Sequence, residues 1–353
     1  MAIDTDFWTG RRVLLTGHTG FKGAWLSLWL QALGADVTGL APGPPTRPSL
    51  YELARVGARM RECAADVRDA EAVRAGLRRS APEIVFHLAA QPMVRRSLRD
   101  PAMTYEVNVI GTVNVLEAVR RAEAQVRAVV VVTSDKCYEN LGVESKRFVE
   151  SDPLGGDDPY SSSKACAELV TSAYRRSFFA DRDSPRVASA RAGNVIGGGD
   201  WGEDRLLPDA VRATQSGEPL RVRNPKAVRP WQHVLNPVSG YLQLAEALWQ
   251  GEAARAWNFG PPERDERTVS WVVERLAVLW DGALSWVLDA GPNPPEAGVL
   301  ALDSGDAERL LGWRAAWRLE DALERVVEWH RAQRSGHDMR RVSLDQIARY
   351  GAS

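Results

Sequence analysis

Residues 16–23 read Thr-Gly-His-Thr-Gly-Phe-Lys-Gly, and they join an apolar run at 12–16 to a helical pattern at 20–33. A second apolar run follows at 36–40, so the segment predicts a strand, a helix and a second strand. The spacing Gly-x-x-Gly-x-x-Gly lets a pyrophosphate approach the backbone where the helix begins and its N–H groups are unpaired. The segment therefore predicts a dinucleotide site, and the alternative interpretation is a tight turn without a ligand.

The same alternation of strands and helices continues downstream. Apolar runs at 83–89 and 128–134 have the length of buried parallel strands, and helical patterns lie at 70–79 and 101–122. The predicted fold class is therefore α/β, a doubly wound parallel sheet of the Rossmann type.

The second half is less regular, with a glycine-rich turn at 197–199 and a helical pattern at 206–216. It predicts a smaller, mixed α/β region that binds substrate. The predicted domains are a dinucleotide-binding domain at 1–190, joined by about 228–260, and a substrate-binding domain at 191–227 and 261–353.

The carboxylate that commonly binds the adenosine ribose is absent from its expected place. Such a residue usually ends the second strand, about 20 residues after the glycine motif, and Leu40, Ala41 and Pro42 stand there. Asp36 has roughly the right separation but begins the strand, at the end away from a ligand. The residues alone therefore leave NAD and NADP open.

Composition excludes several classes of protein. The 353 residues include 45 basic and 46 acidic ones, so the net charge of −1 gives no footprint for nucleic acid or an anionic membrane. No apolar run approaches the ~20 residues that span a bilayer, and three cysteines without ligand spacing predict neither a metal site nor a disulfide framework. The first residues do not resemble a secretory signal, so we expect a cytoplasmic protein.

Tyr160 and Lys164 form the most informative pair. Their spacing places phenol and ammonium on one helical face, where the positive charge would lower the pKa of the tyrosine towards that of a general base. The chain has seven tyrosines and five lysines against 40 arginines, so chance predicts only about 0.1 such pair; a solvated surface pair is the alternative. Ser134 ends the preceding strand and could orient a hydroxyl or ketone beside the phenol.

Asp135 and Lys136 follow that strand directly. An adjacent carboxyl and amine at the mouth of a cofactor cleft can act as acid and base on neighbouring carbons. A surface salt-bridge turn is the alternative, but this arginine-rich chain uses lysine rarely, and arginine cannot lose its proton near neutral pH.

Polar and aromatic residues of the second half predict a site for a nucleoside diphosphate. Arginine binds pyrophosphate with two parallel hydrogen bonds, and aromatic surface can cover a base or a sugar. An ordinary arginine-rich surface is the alternative. The candidates for substrate binding are Gln91, Asn194, Arg205, Arg229, Trp231 and His233.

Together these motifs resemble the extended short-chain dehydrogenase/reductases, the NAD-dependent epimerase/dehydratase family. Within it the chain is similar, over nearly its whole length, to the branch that acts on CDP-glucose. The wider sugar-nucleotide dehydratases carry Asp-Glu where this chain has Asp135-Lys136. The strings that carry the likeness are GHTGFKGAWLSLWL, LAAQPMVRRS, TSDKCYEN, DPLGGDDPYSSSK, RAGNVIGGGDW, RPWQHVL and AWNFGPP.

The resemblance implies a hydro-lyase that removes water from CDP-glucose through an internal NAD redox cycle. Tyr160, with Ser134 and Lys164, would take the C4 hydroxyl proton, Lys136 the C5 proton, and Asp135 would protonate the departing C6 hydroxyl. It also implies a homodimer through helices near 103–122 and 161–174. The residues expected to hold NAD are Gly17, Thr19, Gly20, Phe21, Lys22, Gly23, Asp66, Val67, Leu88, Ala89, Ala90, Gln91, Asn108, Tyr160 and Lys164.

Two other functions stay open at this point. A nucleotide-sugar 4-epimerase would use the same tyrosine and lysine without needing an acid-base pair at 135–136. A dinucleotide-sensing protein on this fold would bind the cofactor without chemistry, and would not need Ser134, Tyr160 and Lys164 together.

Overall fold

A seven-stranded parallel sheet forms the centre of the computed structural model, which describes residues 3–122, 126–143, 146–291 and 299–353. Its strand order is β11-β6-β5-β4-β1-β2-β3. The strands are β1 (Arg12–Thr16), β2 (Asp36–Ala41), β3 (Arg61–Ala64), β4 (Ile84–His87), β5 (Ala128–Val132), β6 (Arg186–Arg191), β7 (Val195–Ile196), β8 (Leu220–Val222), β9 (Val228–Pro230), β10 (Gln232–His233), β11 (Ala256–Asn258), β12 (Glu266–Thr268) and β13 (Trp286–Leu288).

Helices cover both faces of this sheet. They are α1 (Thr5–Trp8), α2 (Phe21–Ala32), α3 (Leu50–Leu53), α4 (Ala70–Ser80), α5 (Val94–Arg99), α6 (Pro101–Tyr105), α7 (Gly111–Arg120), α8 (Pro159–Ser177), α9 (Leu206–Ser216), α10 (Leu235–Trp249), α11 (Val269–Leu279), α12 (Leu319–Arg334) and α13 (Met339–Gly351). No helix within the described ranges is long and apolar enough to cross a bilayer.

The central strands explain why the sheet is doubly wound. Every residue of β5 is buried, and its side chains alternate between the hydrophobic layers on the two faces of the sheet, which together form the first core. Val129 and Val131 pack with α4 and α7, whereas Val130 packs with α2 and α10 on the other face. Both faces need covering because β5 has no polar side. The predicted fold class is confirmed.

β1 lies between β2 and β4, so the strand order reverses at β1 and β4. Loops that leave neighbouring strands in opposite directions there open a crevice at the carboxyl ends of the strands. The segments after β1, β4 and β5 all lead into this edge, which places the glycine motif and residues 133–137 together.

A second hydrophobic core supports the smaller region predicted from the sequence. It contains Val211 of α9, Val272 of α11 and Leu323 of α12. Its short strands pair as β7 with β10, β8 with β13, and β9 with β12.

The C-terminal helix α13 contacts the dinucleotide-binding half as well as α12 of the smaller region. It packs on α2 of the dinucleotide-binding half, where the rings of Trp29 and Tyr350 are 5.4 Å apart and Arg340 donates to Gln31 at 2.7 Å. Residues 339–351 therefore complete the first core although the sequence pattern assigned them to the substrate-binding domain.

Candidate active site

The three glycines of the motif have different surroundings. Gly17 has a φ of +76°, and a Cβ there would lie 2.7 Å from the backbone nitrogen of Ala89. A Cβ on Gly23 would lie 2.1 Å from the carbonyl oxygen of Gly17, so these two glycines permit close packing of the backbone. Gly20 differs, because an added Cβ would meet only that same carbonyl oxygen, at 3.4 Å.

Helix α2 begins just after Gly20 and has no side-chain cap. Its first N–H groups therefore have no side-chain acceptor and lie beside a residue without a Cβ, which is the arrangement that binds phosphate oxygens. Thr19 fixes the loop, since its hydroxyl donates to the carbonyl oxygen of Gly43 at 2.7 Å. These residues fit a dinucleotide pyrophosphate.

The other predicted cofactor residues lie at the same edge of the sheet. Leu88, Ala89 and Ala90 are half-buried after β4. Asp66, after β3, accepts hydrogen bonds from the backbone and guanidinium of Arg68, which lower the pKa of its carboxyl group. Val67 is buried beside it.

No carboxylate stands at the end of β2. Asp36 pairs with Arg61 at 2.6 Å at the beginning of that strand, as its position in the sequence predicted. His18 instead packs over β2, where a Cβ on Gly39 would lie 2.4 Å from its ring, and it pairs with Glu62 at 2.8 Å. Burial lowers the pKa of His18.

Gln91 and Asn108 bind each other rather than presenting free groups. The side chain of Asn108 accepts from the Gln91 backbone N–H at 2.8 Å and donates to its carbonyl oxygen at 3.1 Å. The Gln91 amide donates to Thr104 and to the Met93 carbonyl oxygen, and its oxygen accepts from the Met93 N–H. The hydrogen bonds of both residues therefore hold the loop after β4 in place.

Helix α8 carries the predicted tyrosine and lysine. Asp158 caps it by accepting from the backbone N–H groups of Tyr160 and Ser161 at 2.9 and 3.0 Å. Tyr160 and Lys164 are both buried on the face towards β5, and Lys164 Nζ donates to the carbonyl oxygen of Val132 at 3.4 Å. The pair thus lies at the carboxyl end of β5.

The pKa of Tyr160 differs from the expectation. Burial raises it to about 12, whereas the hydrogen bond with Ser134 and the charge of Arg205 lower it. Burial also lowers the pKa of Lys164, to about 8. That Lys164 lowers the pKa of the phenol stays a prediction.

Ser134 interacts with both Tyr160 and Asp135. Its hydroxyl donates to Asp135 Oδ1 at 2.9 Å, and interaction with Ser134 lowers the pKa of the Tyr160 phenol against the larger effect of burial. Asp135 is only 2% exposed, and its Oδ2 has no hydrogen-bond partner within the described part of the chain. Lys136 is half-buried, and no hydrogen bond or ion pair to its Nζ is found among the same residues.

Gly193 is a site residue that sequence reasoning missed. A Cβ at this position would lie 1.7 Å from Asp135 Oδ2 and 2.1 Å from its Cγ. The carboxylate therefore rests directly on the glycine backbone. In the sequence, its position directly before the predicted Asn194 could have indicated that Gly193 belongs to the site.

Two predicted cationic residues extend the site. The charges of Lys164, Arg205 and Asp135 all act on Lys22, and burial lowers the pKa of Lys22 to about 8. Arg205 is held by Asp200, with Nη1 and Oδ2 2.9 Å apart. Lys22 and Arg205 thus stand beside the catalytic candidates.

The remaining substrate candidates divide into two groups. Asn194 is half-buried with a φ of +42°, and Arg229 is 6% exposed and donates to the carbonyl oxygen of Val228 at 2.9 Å. Trp231 packs in the second core and donates to the carbonyl oxygen of Arg267 at 3.0 Å. Its ring therefore stabilises the smaller region.

His233 is a core residue. It has no exposed surface and lies between Trp25 and Trp317, with ring centroids 6.0 and 4.8 Å away. Its Nδ1 accepts from the Leu235 N–H at 3.2 Å. The substrate contact at His233 stays a prediction, and in the structure its ring packs against both tryptophans.

Comparison with known proteins agrees with this geometry. The NAD dependent epimerase/dehydratase family matches residues 13–260. CDP-glucose 4,6-dehydratase of Salmonella typhimurium (strain LT2) is 48% identical over 99% of this chain and 98% of its own length. The structure of a dTDP-glucose 4,6-dehydratase from Streptomyces venezuelae, solved with NAD bound, is similar with a TM-score of 0.78 and 28% identity, covering 92% of this chain and 98% of that one.

A UDP-glucose 4-epimerase is also similar in structure. The enzyme from Thermus thermophilus, in complex with NAD, has a TM-score of 0.79 and 26% identity, covering 91% of this chain and 99% of that one. Dehydratases and epimerases thus share the fold, so the reaction must be argued from the site residues.

Proposed function

The chain belongs to the NAD dependent epimerase/dehydratase family, and on that premise we propose that it is a hydro-lyase converting CDP-glucose to CDP-4-keto-6-deoxyglucose and water. The observation that carries this reaction is the buried carboxyl group of Asp135, which accepts from the Ser134 hydroxyl and is followed by Lys136. An epimerase has no need for that acid and base, and a dinucleotide sensor needs no tyrosine beside them.

The cofactor is NAD, and the glycine motif and the beginning of α2 would hold its pyrophosphate. Bound NAD supplies the hydride acceptor for C4 and the hydride donor for C6, so the cycle consumes none of it. Burial lowers the pKa of Lys22 to about 8, and the charges of Asp135 and Lys164 also act on it. Burial lowers the pKa of Lys164 to about 8 as well.

Each catalytic side chain moves a proton at a different atom. Tyr160, with Ser134 and Lys164, takes the proton of the C4 hydroxyl. Lys136 removes the C5 proton, which the new C4 ketone makes acidic. Asp135 protonates the C6 hydroxyl as it departs.

Asn194, Arg205 and Arg229 are the proposed contacts to the diphosphate of the substrate. Arg205 supports this best, since its charge acts on both Tyr160 and Lys22 while Asp200 fixes its position. A guanidinium held in this way can bind phosphate without first being ordered.

We also infer a homodimer. Helix α8 packs against the turn at 106–110, and both present apolar side chains to solvent, Leu169 at 58% and Ile110 at 49% exposure. Apolar groups exposed on adjoining helices suit a contact with a second copy.

Lys136 provides the test of the dehydration chemistry. Lys136→Met should slow formation of the keto sugar by roughly 10²–10⁴-fold, the usual contribution of a general base, while leaving oxidation at C4 intact. Reduced nicotinamide should therefore accumulate in a single-turnover absorbance trace with CDP-glucose. Tyr160→Phe should instead leave the nicotinamide oxidised.

Two further variants act as controls. Lys136→Arg keeps the charge but should still stop elimination, because guanidinium does not release its proton near neutral pH. Lys146→Met should dehydrate normally, since Lys146 pairs with Asp152 at 2.7 Å away from the site. Normal dehydration by Lys136→Met, or oxidised cofactor in both Lys136→Met and Tyr160→Phe, would show that Lys136 is not the base.

A further inference from the structure

Lys136 lies in a turn of 3₁₀-helix, Asp135–Cys137, that follows β5. Because no partner for its Nζ is found among the described residues, the position of this amine depends on the backbone of the turn. Thr133 precedes this segment and Tyr138 follows it, and both are buried, at 4% and 2% exposure. The contacts that hold these two residues therefore decide where Lys136 stands.

A buried ion pair between α8 and β6 binds both flanking residues. Glu168 of α8 and Arg191 of β6 lie 2.8 Å apart, and each side chain is 3% exposed. Glu168 accepts from the hydroxyl of Thr133. Arg191 Nη1 donates to the phenol oxygen of Tyr138 at 2.6 Å. The ion pair thus connects the residue before the segment with the residue after it.

Further hydrogen bonds fix the ion pair and the phenol. The Ser189 hydroxyl donates to Glu168 Oε2 at 2.7 Å, and the phenol of Tyr138 donates to Asn258 Oδ1 at 2.7 Å. A buried ion pair by itself adds little stability, because the loss of hydration of both charges offsets their attraction. A pair with several fixed partners does, however, impose one geometry on the groups around it.

We propose that the Glu168–Arg191 pair positions the turn that carries Lys136. The inference rests on the proposed function, and it adds the residues that place the general base relative to the sugar. Neither member of the pair transfers a proton itself. Their role is to hold the backbone on both sides of the turn, so that the amine faces C5 once C4 has been oxidised.

The same pair fixes the helix that bears the tyrosine. Tyr160, Lys164 and Glu168 follow one another at intervals of four residues and are all buried, so they share one face of α8. The hydrogen bond from Thr133 to Glu168 therefore joins this face to the residue directly before Ser134. The Thr133 side of the pair concerns oxidation at C4, and the Tyr138 side concerns elimination.

Tyr138→Phe tests the elimination side. It removes one hydroxyl but keeps the ring, whose centroid lies 4.8 Å from that of Phe148. The turn then loses its hydrogen bonds to Arg191 and Asn258, and Lys136 is held less accurately. Since a misplacement near 1 Å can cost on the order of 10²-fold, we expect elimination to slow by roughly 10- to 100-fold while oxidation keeps its rate. Reduced nicotinamide should accumulate in a single-turnover absorbance trace with CDP-glucose.

Thr133→Val tests the oxidation side. It replaces the hydroxyl that donates to Glu168 by a methyl group of similar size, and it should let Ser134 shift relative to Tyr160. Oxidation at C4 should slow by a similar factor, so the nicotinamide should stay oxidised for longer in the same trace. Thr133→Ser keeps the hydroxyl and should restore the rate of oxidation.

Tyr350→Phe is the matched control for Tyr138→Phe. It removes another buried phenol hydroxyl, which lies 3.1 Å from Ser239 Oγ in the first core, so it can lower the thermal stability but should leave both steps unchanged. Normal elimination by Tyr138→Phe, normal oxidation by Thr133→Val, or equal slowing of both steps in either variant would overturn the positioning role. Wild type that forms neither reduced nicotinamide nor keto sugar from CDP-glucose would instead refute the proposed function.

Discussion

Gly193 supports the Asp135 carboxylate, and Gly193→Ala tests how accurately that group must be placed. The new Cβ would lie 1.7 Å from Oδ2, so the carboxylate has to move. A displacement near 1 Å at a reacting group can cost on the order of 10²-fold in rate. We expect kcat for dehydration to fall by about that factor while the affinity for NAD stays unchanged.

Gly260→Ala is the control for this substitution. A Cβ there would lie 2.8 Å from Leu302 Cβ, so it also disturbs buried packing but contacts none of the proposed catalytic groups. Thermal unfolding and kcat should separate the two variants. An equal loss of kcat in both would contradict a specific role for Gly193.

The sequence predicted the side chains proposed for catalysis but not the glycine that supports Asp135. Tyr160 and Lys164 were readable because their spacing and the rarity of lysine single them out. Gly193 was not, because the space left by a missing Cβ is visible only once β5 and β6 lie side by side. From the sequence alone, Trp231 and His233 could contact a ligand or lie in the hydrophobic core, because their burial depends on tertiary packing.

The turn at 106–110 joins the loop after β4 to helix α8, which carries Tyr160 and Lys164. It is one turn of π-helix between α6 and α7, and it points Asn108 at Gln91 and at Ser163 of α8, whose hydroxyl lies 2.8 Å from Asn108 Nδ2. The sequence pattern predicted one continuous helix over 101–122. A π-helical turn holds one residue more than an α-helical turn. The hydrophobic periodicity could not predict this extra residue, because the hydrogen bonds that accompany it join Asn108 to residues distant in the sequence.

Asn108→Ala should therefore weaken both stability and activity. It would leave the buried backbone N–H and carbonyl oxygen of Gln91 without their partner, and it would remove the donor to the Ser163 hydroxyl, which still donates to the carbonyl oxygen of Tyr160. A lost buried partner costs about 1–3 kcal/mol. Denaturant unfolding should show that loss, and kcat should fall because α8 carries Tyr160. Asn114→Ala is the control, since the hydrogen bonds of the Asn114 amide among the described residues go to the carbonyl oxygens of Val67 and Arg68 and not to α8. Similar losses of stability and kcat in Asn108→Ala and Asn114→Ala would contradict the proposal that Asn108 links the loop after β4 to α8.

The sheet and the smaller region have separate hydrophobic cores, and the sequence predicted the boundary between them only in part. The strand β11 returns to the main sheet as the 228–260 segment suggested. Helix α13 returns to α2, which its amphipathic pattern could not reveal, because such a pattern shows that a face is buried but not against which partner. The first core therefore depends on residues from both ends of the chain.

The assembly of two copies is the prediction at the largest scale. If the helices at 103–122 and 161–174 form the interface, Leu169→Arg places a charge in it, and the cost of burying an unpaired charge should shift the protein from dimer to monomer. Light scattering with size-exclusion chromatography measures the mass directly. Val278→Arg is the matched control, because Val278 is 66% exposed on α11 in the smaller region and its replacement should leave the dimer intact.

A monomeric wild type would refute the homodimer, and a Leu169→Arg variant that stays dimeric would place the interface on another face. Dehydratase activity measured on the same samples then shows whether one copy suffices, as expected, since every catalytic group proposed here comes from a single chain.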